Sequence, residues 1–228
     1  MSLSLYSISA RAFFLGFVIC LGLSIDLASE PTWKIFGVYA SVLSTFHFTE
    51  FLSVASTNPV ASSSDTYIIN HSFAYTVAAL ASWIEYFFER YYFPIIKQNL
   101  WISLVGIIMC ATGEIIRKTA IYTAQHNFNH IVQNTKSNNH SLVTHGIYNI
   151  CRHPSYVGWF YWSIGTQLIL QNPLCLTTYT IISWRFFKER ITIEESSLLK
   201  FFGSSYIVYQ SKVGTGLPFI FGHKRNIP

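Results

Sequence analysis

Apolar residues in this chain fall in long runs, separated by short polar breaks. The first run goes from Ala12 to Ala28, behind Arg11. The second goes from Trp33 to about Val54 and contains His47 and Glu50, two polar residues that serve helix packing more readily than chemistry. Ala55 to Asp65 is rich in Ser, Asn and Pro and reads as a loop. A third run spans Tyr67 to Phe88 and ends in Glu89-Arg90. A fourth spans Asn99 to about Ile116 and ends in Arg117-Lys118. About twenty apolar residues cross a bilayer as helix, and all four runs fit, the first being the shortest.

The break around Ser29-Glu30-Pro31-Thr32 predicts a helical hairpin between the first two runs. Arg11 before an apolar run also suits a cleaved signal peptide, but no clear small-x-small site follows. Further on, Ala120 to Val132 reads as an amphipathic helix at the membrane surface and Gln133 to His140 as a loop. Tyr156 to Leu170 and Leu174 to Phe187 are each short for a crossing, and Asn172-Pro173 marks a turn between them. From Arg185 onward a polar helix leaves the bilayer and ends at Gly203, a residue suited to a C-cap. The expected fold is an all-α integral membrane protein with about six transmembrane helices plus a cytosolic C-terminal helix.

Composition supports this. Of the 228 residues 51% are apolar and only 11% charged, against roughly 25% charged in soluble domains. The net charge of +5 is unevenly spread. Residues 1–116 hold four Lys/Arg and seven Asp/Glu; residues 117–228 hold eleven and three. Basic loops beside spanning helices stay on the cytosolic side, so the second half's polar surface is expected there. Its cations are interleaved with apolar runs, which argues against nucleic acid as a partner. Cys20, Cys110, Cys151 and Cys175 form no CxxC pair and read as small apolar residues. The chain ends Asn226-Ile227-Pro228, without a CaaX box of its own.

Candidate chemistry gathers at the ends of the last two apolar runs. One cluster is His140 to Tyr148, continued by Arg152-His153-Pro154-Ser155-Tyr156; the other is Arg190 to Glu195. The hairpin returns the second to the membrane face of the first, and ionisable residues at membrane depth usually mark function. Pro154 biases His153 to extended backbone and opens a helix whose free N–H groups can hold an acceptor. Arg152 also reads there as a cation snorkelling to the surface. Arg190 and Glu194, four apart, share a helix face, either as a surface ion pair or as a cation and a carboxylate set over a cavity. Glu195 lies about 100° around the helix and need not share that role. His126 and His130 are also four apart, but no third ligand stands at useful spacing, so no metal is expected. Gly214-Thr215-Gly216 precedes Leu-Pro, not a helix, so any nucleotide-like cofactor is held outside a Rossmann fold.

The stretch from His140 to Tyr148, then Arg152-His-Pro-Ser-Tyr-Val-Gly-Trp-Phe160, resembles the signature of isoprenylcysteine carboxyl methyltransferases. Gly165-Thr-Gln167, Asn172-Pro173, Arg190-Ile-Thr-Ile-Glu-Glu195, Phe201-Phe-Gly203 and Gly216-Leu-Pro-Phe-Ile220 follow in that family's order. RHP-x-Y alone is shared with phospholipid methyltransferases and sterol reductases. The resemblance runs from about Phe128 to Gly222; Cys151 and His145 depart from common choices without touching the matched positions. It implies a multi-pass enzyme of the endoplasmic reticulum membrane, facing the cytosol. Such an enzyme methylates the C-terminal carboxylate of farnesyl or geranylgeranyl cysteine in CaaX-processed proteins, with S-adenosyl-L-methionine. Carried over, Gln133, His140, Ser141, Leu142, Val143, Tyr148, His153, Pro154, Ser155, Tyr156 and Glu194 would hold that cofactor and Arg190 the substrate, with Arg190 and Glu194 the catalytic pair. Residues 1–118 would then supply membrane helices one to four, and residues 119–228 the catalytic region of one integrated domain.

Overall fold

The computed structural model describes residues 2–28, 31–69 and 72–223. Ser29 and Glu30 of the expected first turn, and the chain end, lie outside them. Seven α-helices and no strand occur among the described residues: α1 (Ser2–Ala28), α2 (Pro31–Thr57), α3 (Phe73–Tyr92), α4 (Leu100–Ala124), α5 (Pro154–Leu170), α6 (Pro173–Phe202) and α7 (Ser204–Lys212). Three stretches are long and apolar enough to cross a membrane: Leu5–Ile25, Thr32–Thr57 and Leu100–Asn127. α1 presents Phe13, Phe14, Phe17 and Leu23 outward, as a lipid-facing helix does. α5 has 17 residues, the short length its sequence foretold. α6 has 30 residues, about 45 Å of helix. It therefore runs unbroken from the Asn172-Pro173 turn through its apolar half and out into the polar stretch, where Gly203 (φ 52°) ends it.

Helices α4 and α5 form the tightest pair, and four glycines explain why. Gly106 and Gly113 on α4 are seven residues apart, as are Gly158 and Gly165 on α5. A Cβ at Gly113 would stand 2.5 Å from the Gly158 carbonyl oxygen, and one at Gly165 2.9 Å from that of Gly106. Lipid offers little hydrophobic drive for helix association, so close backbone approach at small residues carries the contact. Gly158→Ala would place its methyl 2.4 Å from the Gly113 carbonyl oxygen. The two helices must separate to admit it, and a loss of about 1–3 kcal/mol is expected. A thermal unfolding scan in detergent showing Gly158→Ala within a degree of the parent would contradict this packing.

Three boundaries differ from the sequence reading. The third helix starts at Phe73, not Tyr67. Ser63 and Thr66 close a capping box around a short 3-10 turn, and Ile68 adopts φ 58°, which breaks the run. Tyr67 turns back onto α2, where its ring stacks on Phe51 at 4.3 Å. The fourth helix does not stop at Arg117-Lys118 but continues to Ala124, because both cations are neutralised inside the protein by Glu50 of α2. No amphipathic helix reaches Val132: Gln125 takes φ 50°, a 3-10 turn closes at Asn127, and residues 128–145 form the wall described below.

At the opposite end of the hairpin, buried Lys97 donates to Glu89 Oε2 at 2.6 Å, to the Leu170 and Gln171 carbonyls at 2.9 Å each, and to Asn172 Oδ1 at 2.8 Å. Glu85 accepts the Leu174 and Cys175 N–H groups at 2.7 Å each. A cation thus closes the C-terminus of α5 and a carboxylate the N-terminus of α6, each opposite in sign to the helix end it meets. The clasp fixes the two helices that carry the candidate chemistry at their far ends.

Candidate active site

The first turn of α5, the C-terminal half of α6, Tyr206 and Tyr209 of α7 and residues 127–148 line one open cavity. Each sequence-nominated residue lines it: Gln133, His140, Ser141, Leu142, Val143, Tyr148, His153, Pro154, Ser155, Tyr156, Arg190 and Glu194. Residues that the sequence did not single out also face it, notably Arg117, Phe128, Trp159, Tyr206 and Tyr209.

Arg190 and Glu194 make no ion pair with each other among the described residues. Tyr156 stands between them: its hydroxyl donates to Glu194 Oε2 at 2.5 Å and accepts from Arg190 Nε at 3.3 Å. Arg190 Nη2 donates to the His130 carbonyl. The guanidinium is thus oriented by neutral oxygens, and its charge is left uncancelled by any direct carboxylate contact. His153 stacks parallel on Tyr156, with 5.6 Å between ring centroids, and its Nδ1 lies 3.9 Å from Glu194.

Glu195 faces elsewhere, as the helix rotation allowed. It is completely buried and accepts from Arg152 Nε at 2.8 Å and His153 Nε2 at 2.9 Å. Its second oxygen accepts from Gln210 Nε2 at 3.0 Å and the His223 N–H at 2.7 Å. Burial alone would raise this carboxyl, but the hydrogen bonds and charges of His153 and Arg152 pull it down to about 2. Arg152 is therefore no snorkelling surface cation. It is 6% exposed and donates also to the Val213, Gln210 and Phe221 carbonyls. Residues 213–223 are pinned over the outside of the RHP turn by this hub, with the Arg152 N–H bonded to the Gly214 carbonyl at 2.8 Å. Gly222 (φ 77°) comes so close that a Cβ would sit 2.0 Å from Glu195 Oε2.

The wall opposite α5 has no α-helix or strand and is tied at points. Asn127 Oδ1 accepts the Ser141 N–H at 2.8 Å, and Tyr209 donates to the Tyr148 carbonyl at 2.5 Å. His140 packs edge-on to Phe201 and Phe202. Burial, then the neighbouring Lys136, lowers its pKa. His126 and His130 do not act as a pair. α4 ends at Ala124, before both, and His126 bonds the Asn139 carbonyl while His130 reaches Glu50 at 2.6 Å.

Comparison with known proteins places this geometry. Residues 105–200 match the isoprenylcysteine carboxyl methyltransferase family model. The protein-S-isoprenylcysteine O-methyltransferase of Tribolium castaneum is 58% identical over 219 residues, covering 96% of this chain and 78% of that one. The human enzyme of the same name is 51% identical over 96% of this chain and 77% of its own. The Saccharomyces cerevisiae one is 37% identical over 95% and 92%. The chain belongs to the isoprenylcysteine carboxyl methyltransferase family. A solved structure described as the eukaryotic intramembrane Ras methyltransferase of this family superposes with a TM-score of 0.95 at 57% identity, covering 97% of this chain and 79% of that one. The chain is accordingly an isoprenylcysteine O-methyltransferase with an all-helical membrane fold. The family match spans α4 to α6, the three helices that frame the cavity.

Proposed function

We propose that this methyltransferase takes its methyl group from S-adenosyl-L-methionine and delivers it to the C-terminal carboxylate of a farnesyl or geranylgeranyl cysteine in CaaX-processed proteins. The work is done at the cytosolic face of the endoplasmic reticulum membrane. One observation carries the reading: Arg190, unpaired with Glu194, opens into the same cavity as the His140–Val143 wall and the first turn of α5.

The residues present fit the methyl donor. Tyr148, Tyr156, His153 and Trp159 offer ring faces to a purine and to a sulfonium cation. Glu194 offers a carboxylate to a cationic amine. Tyr206 is 1% exposed and lines the cavity beside Glu195. Gln133, His140, Ser141, Leu142, Val143, Pro154 and Ser155 complete the enclosure. When bound, the cofactor supplies an electrophilic methyl on a positively charged sulfur.

The acceptor needs no general base, since a carboxylate is ionised at pH 7. What the chain must supply is alignment and dryness. Arg190 presents a planar fork that fits a carboxylate at two points. Held by Tyr156 and the His130 carbonyl, that fork is set before the substrate arrives. Trp159, Phe186 and Tyr156 form the apolar side of the cavity, against which water is excluded and from which a prenyl chain can extend between helices into the bilayer. Residues 1–118 act as the membrane scaffold and residues 119–228 as the catalytic region, joined into one domain by the α4–α5 seam.

The test is label transfer from S-adenosyl-L-methionine, in membranes bearing this chain, to a cysteine derivative with and without its farnesyl group. Label should appear as a base-labile ester on the farnesylated compound alone. Equal labelling of both, or label on phosphatidylethanolamine, overturns the reading.

A further inference from the structure

Arg190 is held from a distance by a residue that reaches neither reactant. Glu50 sits on α2, entirely buried, and its carboxylate takes four donors. Arg117 donates through Nη2 at 2.5 Å and Nε at 2.9 Å, Lys118 through Nζ at 2.6 Å, and His130 through Nε2 at 2.6 Å. Two of these donors lead to the cavity. The carbonyl of His130 accepts Arg190 Nη2. Nη1 of Arg117 donates to both the Ser155 carbonyl at 3.2 Å and Ser155 Oγ at 2.7 Å, in the first turn of α5.

Packing alone does not call for this charge. α1 and α2 meet through Gly22 and Gly37 with no ion pair among the described residues, and a carboxylate among apolar helices carries a large desolvation cost. Nor does the segment carrying His130 hold itself: residues 128–133 lie in no helix or strand. A backbone without a ladder takes its place from the side chains that tie it down. Phe128 anchors one end of the segment in the core and Asn58 reaches its carbonyl; the tie beside Arg190 is the His130 ring, and the same residue's carbonyl orients Arg190.

We propose that Glu50 is a positioning residue for the methyl transfer. Through His130 it fixes the 128–133 wall and so aims the Arg190 fork at the incoming acid; through Arg117 it fixes Ser155 at the start of α5. One carboxylate on the scaffold thus sets the register between the acid anchor and the methyl-donor wall. This rests on the reading of Arg190 as that anchor.

The experiment uses the full chain in lipid nanodiscs and five variants: Glu50→Gln, His130→Ala, His130→Gln, Arg190→Ala and His130→Ala with Arg190→Ala. Equilibrium affinity is measured for an N-acetylated S-farnesylcysteine and, separately, for S-adenosyl-L-methionine, with KM and kcat where turnover remains. His130→Ala cuts the tie to the wall while leaving Glu50 with Arg117 and Lys118. It should weaken farnesylcysteine binding and raise its KM about tenfold, with methyl-donor affinity within about twofold of the parent and the melting temperature little changed. His130→Gln, whose amide can still donate to Glu50, should restore most of the loss. Glu50→Gln should weaken both ligands; if it does not fold, His130→Ala carries the test alone. In the Arg190→Ala background, His130→Ala should cost nothing further. An unchanged KM in His130→Ala, or the same loss in both backgrounds, overturns the proposal. If Arg190→Ala by itself binds farnesylcysteine normally, the anchor reading is what has failed.

Discussion

Arg190→Ala should lower kcat/KM for a farnesylcysteine acceptor by about 10²–10³-fold, the cost of removing one partner of a charge-assisted, desolvated pair. The size follows from what surrounds the guanidinium. Its present partners are a tyrosine hydroxyl and a backbone carbonyl, both neutral, so its charge is available to a carboxylate that must lose water to enter. Removing the side chain leaves that acid without a counter-charge in a partly buried site. Arg190→Lys keeps the charge but loses the fork, and should recover only part of the rate. The variant should still fold, because Arg190 is only half-buried and closes no helix end. Label transfer with purified Arg190→Ala, beside its melting temperature, checks this. A folded protein turning over within about threefold of the parent would remove Arg190 from the role.

The pattern of apolar runs and breaks placed the α5–α6 hairpin, its turn at Asn172-Pro173 and the end of α6 at Gly203 close to where they stand. Those features are local, set by proline, glycine and run length. Pairings across the fold left no such trace. Arg117-Lys118 reads as a membrane boundary because nothing near it in sequence shows that Glu50, 67 residues earlier, neutralises it inside the protein. Arg152 reads as a snorkelling cation for the same reason, its acid partner lying 43 residues on. The four glycines of the α4–α5 seam were visible, at seven-residue spacing in both helices, and a search for small residues on one helix face would have found the contact. The cavity side chains emerged from motif resemblance, whereas Tyr206, an aromatic on a short helix with no motif around it, needed its burial against the cavity to be noticed. For Glu194-Glu195 helical geometry warned only that the two neighbours need not share a role; that one turns to the cavity and the other to the hub took the contacts with Arg152 and His153 to show.

That hub carries the second large effect, on stability. Glu195→Ala should destabilise the protein by about 3–5 kcal/mol, since it strands Arg152 in a buried site. The loss reaches beyond one pair: the same carboxylate holds Gln210 and the His223 N–H, so residues 213–223 lose their attachment to the RHP turn. Limited proteolysis should then cut within this segment, well below the temperature at which the helices melt. Replacing both charges, as Arg152→Met with Glu195→Gln, should cost less than Arg152→Met alone, because no unpaired ion remains. The reverse order would show that the individual hydrogen bonds, not the charge balance, dominate. Acid supplies an independent check. The Glu195 carboxyl is lowered from 4.5 to about 2 in the folded state, so its contribution is complete above pH 4.5 and fades as pH falls toward 2. Over that window the folded parent should lose about 3 kcal/mol from this group. Glu195→Gln has no carboxyl to protonate there, so its stability curve should be flatter by that amount. Coincident curves for the two proteins between pH 4.5 and 2 would mean that the hub is not what fastens the C-terminal segment.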